Sequence, residues 1–475
     1  MKAFAAAFLL ATSLPNSAQT ELITLGDSLT FAYEAEFGFQ ISIPFGETYG
    51  DGFDPEEVKN WAEILHQERS PDFDLGARQT LTADFSFFSY DLYFRQDHNW
   101  AVPGLKINQL RRFLDNEATL LELIAEDEDF AAFADILATT DFEFELTEME
   151  QQIANSEGRL VFFIGGNDAD SIYHLVYEGN PPADFISDYL ADSAAILDRV
   201  QELNPDLPIV LVNLPHVGIT PLIKEAHPTD EVKTGRATAF FGELNRQLAE
   251  LAQSRGIGYA DIFSATLPLL GEQALSVYGV PFANAGSAEG DLNFVWLDGP
   301  FSMNFHPNTS AQILIANEIV GAFNEKYGTA LRPLGAEEAL TTLLRRDPSA
   351  VDMDFPTWAI SYSLPELSQD DDSDGDGLTA GLEFALGLNP QLSDSEKITS
   401  TQVEVEGNSF LEIAYPLRYP ASSHVTLMPQ STADLATGFS DFVTLPAEGS
   451  DGLFRARLPL ERTRGFLRLE ARPQE

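Results

Sequence analysis

The chain has 475 residues, room for about three domains at the usual domain size, and 44% of them are hydrophobic, which excludes wholesale disorder. Asp plus Glu number 75 against 27 Lys plus Arg, a formal net charge of -48 that repels phosphate backbones and argues against nucleic-acid binding and docking on anionic membranes. The chain has no cysteine, so disulfides, thiolate metal sites and cysteine nucleophiles are absent. The acidity runs along the whole chain and suits a soluble protein in a salty medium. Met1 and Lys2 lead an apolar run from Ala3 to Leu10, followed by small residues. This reads as a signal peptide over 1–18, cleaved after Ala18, and implies a secreted protein, extracellular or periplasmic. The run is too short to span a bilayer, and no membrane anchor is expected elsewhere.

From 19 to 333 the chain alternates strand-like and helix-like patterns. Leu22–Leu25, Leu160–Ile164, Pro208–Val212 and Gly258–Ile262 are short apolar runs stopped by turn residues. Continuous runs of this kind suit a parallel sheet buried on both faces. Between and after them, helical spacing places Phe185, Tyr189, Ile196 and Val200 on one face, then Phe241, Leu244 and Leu248, then Ile313, Ile319, Val320 and Phe323. The alternation predicts a doubly wound α/β domain, with its chemistry at the carboxyl ends of the strands. The aromatic, loop-rich stretch over about 34–98 reads as an insertion over one end of the sheet. Residues 334–369 read as a linker with a helix over 337–346, 370–393 as an acidic loop, and 394–475 as short strands forming a small antiparallel β-sandwich.

Four stretches carry chemistry. Gly26-Asp27-Ser28-Leu29 follows the first strand, where a serine hydroxyl and its own N–H are exposed at a strand-to-helix turn. Gly104, in Asn99-Trp100-Ala101-Val102-Pro103-Gly104, offers an N–H that a ligand can approach closely. Asn167, in Gly165-Gly166-Asn167-Asp168, offers a side-chain amide, and His306, in Phe305-His306-Pro307-Asn308, a base. Together they supply a nucleophile, a base and oxyanion donors for acyl transfer. In this order they resemble the blocks of the SGNH (GDSL) hydrolase superfamily of esterases and lipases, whose sheet is flavodoxin-like. The resemblance covers about residues 21–333. It implies that Ser28 is the nucleophile and His306 the general base, and that the N–H groups of Ser28 and Gly104 with the Asn167 side chain form the oxyanion hole. It also implies an ester substrate, small or polymer-borne, and no cofactor for catalysis.

The chain departs from the family at one position. The acid usually found three residues before the histidine is replaced by Met303. Asn304, Asp298 or a backbone carbonyl can take over the orienting of His306. The departure leaves a rival from another class, a non-catalytic surface or adhesion protein on a hydrolase scaffold. A third reading is acetyl transfer from the same nucleophile. Tyr90, Tyr93, Phe94 and Trp100 are candidates for lining a cleft, but so dense a cluster reads first as core. His216, in a loop after a strand, reads first as structural.

The acidic loop Asp372-Ser373-Asp374-Gly375-Asp376-Gly377 has carboxylates at positions 1, 3 and 5, glycine at 6 and Glu383 at 12, the spacing of a calcium loop. Leu378 would add its backbone carbonyl at position 7. No good helix leads into it, so a paired sensor is not expected. It resembles the single calcium-binding linker loops of bacterial exported proteins, similar to thrombospondin type 3 repeats, and implies structural calcium between the hydrolase and β-domains. The β-module is a candidate for carbohydrate or cell-surface contact, or a simple cap, and it has no tryptophan to make a sugar platform.

Overall fold

The computed structural model describes residues 19–38, 41–42, 48–85, 88–126, 144–271, 273–405, 407–419, 424–441, 447–449, 451–460 and 465–473. The leader expected over 1–18 lies outside them. The four apolar runs form the central sheet: β1 (Leu22–Gly26), β2 (Arg159–Phe163), β3 (Ile209–Val212) and β4 (Gly258–Ala260). They pair in parallel in that order, with Leu25 beside Phe162 and Leu211 beside Tyr259. Residues 98–100 run along the other edge of β1. The Thr24 N–H donates to the His98 carbonyl (3.0 Å), and the Trp100 N–H to the Thr24 carbonyl (2.9 Å). Counting this short edge gives the flavodoxin-like order, with its switch point at β1.

Successive side chains of a strand point to opposite faces, so each buried strand feeds two cores. Ile23, Leu25, Leu160, Phe162 and Leu211 enter one of them. Leu22, Val161, Phe163, Val210 and Val212 enter the other. Helix α1 (Trp61–Glu68) opens with a capping box, in which Asn60 accepts the Ala62 and Glu63 N–H groups and Glu63 reaches back to Asn60. After β2 come α2 (Gly166–Tyr177) and α3 (Phe185–Leu203), then α4 (Glu231–Arg255) and α5 (Thr309–Tyr327). Ile196, Val200, Phe241 and Leu244 of α3 and α4 cover the first face. Trp61, Leu65, Ile313, Val320 and Phe323 of α1 and α5 cover the second. The insertion supplies a helical turn (Tyr33–Glu36), α1 and a hairpin of Arg78–Phe85 with Phe88–Gln96.

Residues 334–369, read as a linker with a helix over 337–346, are helical in more than that stretch. They carry three short helical segments, Glu338–Leu343, Pro348–Val351 and Phe355–Ser361. Leu334, Leu340, Leu343 and Val351 join the core beneath α5. Pro348 and Pro356 sit in first helical turns, where a missing N–H costs no hydrogen bond. The helix Ala380–Leu386 lies within the acidic stretch and carries Glu383, and two antiparallel sheets follow it. One contains Thr399–Val405, Asn408–Tyr415 and Phe454–Pro459, and the other contains Val425–Thr432 and Phe466–Pro473. Ile413, Tyr415 and Ala456 of the first pack with Leu427, Leu467 and Leu469 of the second, as in a sandwich.

Candidate functional site

The site grows out of the carboxyl end of β1. The Asp27 carbonyl accepts the Thr30 and Phe31 N–H groups, both at 3.0 Å, which closes the turn that carries Ser28. The Asp27 carboxylate accepts the Leu29 N–H (3.0 Å) with one oxygen and the Gly165 and Gly166 N–H groups (3.1 Å each) with the other. This one buried side chain staples the turn after β1 to the turn after β2. Burial pushes Asp27 up to about 6, against the pull of those N–H groups. Asn99 holds a third turn. Its Oδ1 accepts the Thr24 hydroxyl (2.8 Å) and the Ala101 N–H (3.1 Å), and its Nδ2 donates to the Thr30 carbonyl (2.9 Å). Asp168, buried and pushed up to about 7 by that burial, accepts the Ile107 N–H (3.1 Å), tying α2 to the segment after Gly104.

His306 arrives from the loop before α5. Its Nε2 lies 2.8 Å from the Ser28 Oγ, and its Nδ1 lies 3.0 Å from the Ser302 carbonyl oxygen. A carbonyl only accepts, so Nδ1 carries the proton and Nε2 presents its lone pair to the serine hydroxyl. The same carbonyl accepts the Phe305 N–H (2.9 Å). Neither side chain expected to orient the imidazole does so. Asn304 sits in the left-handed region (φ 56°) beside Met303 (φ 48°), and this kink turns its side chain toward Gly286 instead. Asp298 is exposed, whereas His306 is buried. The left-handed kink at Met303 and Asn304 also turns the chain so that the Ser302 carbonyl meets the ring.

The Phe37 ring packs 4.9 Å from the imidazole, with Phe305 at 5.6 Å and Tyr33 at 6.4 Å. Burial lowers His306 to about 4, and the bond to Ser302 offsets only part of this. The neutral, basic form therefore persists well below the ordinary histidine range. For hydrolysis based on this imidazole, kcat/KM is expected to lose its acid limb near pH 4, not near 6.5. A pH profile with a midpoint at or above 6.5 would contradict it.

The remaining parts surround the same point. Gly104 adopts φ 76°, a left-handed conformation that a glycine takes without strain. Among the described residues, the N–H groups of Ser28 and Gly104 donate to no protein acceptor. The Asn167 Nδ2 donates to the Leu105 carbonyl (3.2 Å), which leaves its second hydrogen free for a ligand. An apolar cavity is lined by Leu29, Gly166, Phe305 and Pro307, the chain neighbours of Ser28, Asn167 and His306, and extends to Ile262 and Ile315. The arrangement can carry out acyl transfer: a hydroxyl with a base, and N–H donors for an oxyanion.

The model for GDSL-like lipase/acylhydrolase matches residues 22–319. The chain belongs to the GDSL-like lipase/acylhydrolase family. It is an ester-hydrolysing enzyme. Among solved structures, an extracellular lipase from Streptomyces rimosus aligns at 14% identity with a TM-score of 0.30, covering 65% of this chain and 98% of that one. No curated protein matches it.

The residues read first as structural lie outside the acylhydrolase site. Phe94 and Trp100 are core residues that pack with Phe31 and Phe144. Tyr93 lies under the Arg78 guanidinium (3.9 Å), and the Tyr90 side chain lies outside the described residues. His216 is fully buried against Tyr173, Phe241 and Phe263, a structural position. The sequence reading missed Asp27, Asn99 and Asp168 as the staples of the site, although all three stand inside the motifs it singled out.

The acidic loop of the acylhydrolase forms a separate cluster. Carboxylate oxygens of Asp372, Asp374 and Asp376 lie within 4.8 Å of one another. Gly377 takes φ 92°, as a sharp turn at the sixth loop position requires. Glu383 is fully buried, and neither of its oxygens has a hydrogen-bond partner. Burial, reinforced by Asp374, Asp376, Asp394 and Asp372, pushes it up to about 8. An unpaired carboxylate buried beside other carboxylates fits a hard divalent cation such as calcium.

Proposed function

We propose that this acylhydrolase is a secreted serine esterase working through a Ser28–His306 pair. The observation that carries the reading is the 2.8 Å contact between the Ser28 Oγ and the His306 Nε2, with Nδ1 donating to the Ser302 carbonyl. His306 takes the Ser28 proton as the Oγ attacks the ester carbonyl carbon. The oxyanion is received by the Ser28 and Gly104 N–H groups and the Asn167 amide. His306 then passes the proton to the departing alcohol, leaving an acyl-enzyme. Water, deprotonated by His306, attacks the acyl carbon, and the proton returns to Ser28 as the acid leaves. Acetylated polysaccharide and lipid esters are the two substrate classes we retain.

Met303 and the calcium-type loop favoured a non-catalytic scaffold; against the first, the Ser302 carbonyl supplies an orienting acceptor without an acid at that position. The reading is tested by hydrolysis of p-nitrophenyl acetate, butyrate and octanoate, each beside Ser28→Ala. The chain-length profile separates a deacetylase from a lipase. Asn167→Ala is expected to lower kcat by about 10²- to 10³-fold, the effect of losing one oxyanion donor. A loss confined to KM would remove Asn167 from that role.

For the acidic loop we propose structural calcium. Asp372, Asp374, Asp376 and Glu383 would hold it with the Leu378 carbonyl. Its support is the buried, unpartnered Glu383. Secretion rests on the leader-like first residues, and among the described residues no helix is long and apolar enough to cross a membrane. Sequencing the N-terminus of exported protein tests it, with a start after Ala18 as the expected result.

A further inference from the structure

The Ser302 carbonyl can orient His306 only if its own turn is held in place. That turn has no regular structure, and it contains two consecutive non-glycine residues in the left-handed region, Met303 and Asn304. Such conformations persist only where their surroundings impose them. The main external clamp comes from a residue about 250 positions earlier. One Asp51 carboxylate oxygen accepts the Phe301 N–H (2.8 Å), and the other accepts the Ser302 N–H (2.9 Å). The fit is close. A Cβ on Gly299 would come within 2.3 Å of the Asp51 carboxyl carbon, so only glycine leaves room for the carboxylate over the turn. Inside the turn, the Ser302 Oγ accepts the Gly299 N–H (2.8 Å), and Ser302 is fully buried. Asp51 in turn is carried by the segment whose Phe53 and Val58 pack with Tyr33, Phe37 and Leu297 beside the imidazole.

We infer that Asp51 is a positioning residue for hydrolysis: its carboxylate clamps the 299–303 turn so that the Ser302 carbonyl faces Nδ1 of His306. It takes over, one residue removed, the task of the acid that Met303 replaces. Nδ1 donates to Ser302, and the Ser302 N–H donates to Asp51. The inference rests on Ser28 and His306 acting as nucleophile and base.

The test compares kcat and KM for p-nitrophenyl butyrate in the full chain and in the Asp51→Ala, Asp51→Asn, Gly299→Ala and Asp51→Ala/Gly299→Ala variants. Ser28→Ala and Asp298→Asn run alongside. Asp51→Ala is expected to lower kcat by about 10- to 100-fold with KM within twofold, because a misdirected base slows chemistry without weakening binding. Gly299→Ala should lower kcat where Asp51 is present and cost little further where it is absent, since its clash is with that carboxylate. Asp298→Asn should stay near wild type. The inference is overturned if Asp51→Ala keeps kcat within twofold, if its loss lies in KM, or if the two changes add. Should Asp51→Ala not fold, Asp51→Asn and Gly299→Ala decide by the same kcat criterion. Activity surviving in Ser28→Ala would instead overturn the underlying Ser–His reading.

Discussion

Replacing Ser28 by alanine is expected to lower kcat on p-nitrophenyl esters by about 10⁴-fold or more, with the fold intact. The Ser28 hydroxyl lies 2.8 Å from the imidazole Nε2, and among the described residues no other side chain hydrogen-bonds to that nitrogen. The Ser28 side chain makes no hydrogen bond besides that to His306 among those described, so its removal should leave the melting temperature nearly unchanged. His306→Ala should cost about as much, and the double variant little more, because nucleophile and base act as a unit. Activity within tenfold of wild type in Ser28→Ala, with melting confirmed, would place the chemistry elsewhere.

Removing calcium is expected to have the largest effect on stability. With calcium at about 100 to 1,000 times its dissociation constant, binding to the folded loop alone contributes about 3–4 kcal/mol. Without the ion, Glu383 is left buried among carboxylates with nothing to neutralise it. The helix that carries it also packs Phe384 and Leu386 into the C-terminal cores. Chelation by EGTA should therefore lower a calorimetric transition of the C-terminal region by several degrees, and added calcium should restore it. Glu383→Gln should abolish the response to calcium. Ester hydrolysis below that transition should persist, since the Ser28 site takes no ligand from the loop. Superimposable transitions with and without EGTA would remove calcium from the account.

Much of this architecture is legible in local patterns. The runs at Leu22, Leu160, Pro208 and Gly258 are continuous and apolar because each strand is covered on both faces, and this alone indicates a parallel sheet. Ser28 and Asn167 stand just past the ends of β1 and β2, and Gly104 and His306 in turns, so their chemistry can be read before any contact is known. In 334–369 only the segment at Glu338–Leu343 is legible, and Pro348–Val351 and Phe355–Ser361 are not. The apolar residues of this stretch find their partners only in the fold, Leu340, Leu343 and Val351 in the core beneath α5 and Phe355 and Trp358 against Phe384, and that division is a tertiary fact.

What the sequence by itself determined is the parts list: a buried sheet, a hydroxyl, a base, oxyanion donors and a calcium-like loop, each written in residues close together in the chain. What orients the base was decided only by the tertiary structure. Met303 reads as a lost acid until the left-handed turn places the Ser302 carbonyl against Nδ1. Asp51 carries no motif at all, and its carboxylate acquires a role only when folding brings it to the Phe301 and Ser302 N–H groups. A backbone acceptor exists at every residue, so which one meets the imidazole depends on chain direction in space, and a one-dimensional pattern does not contain it.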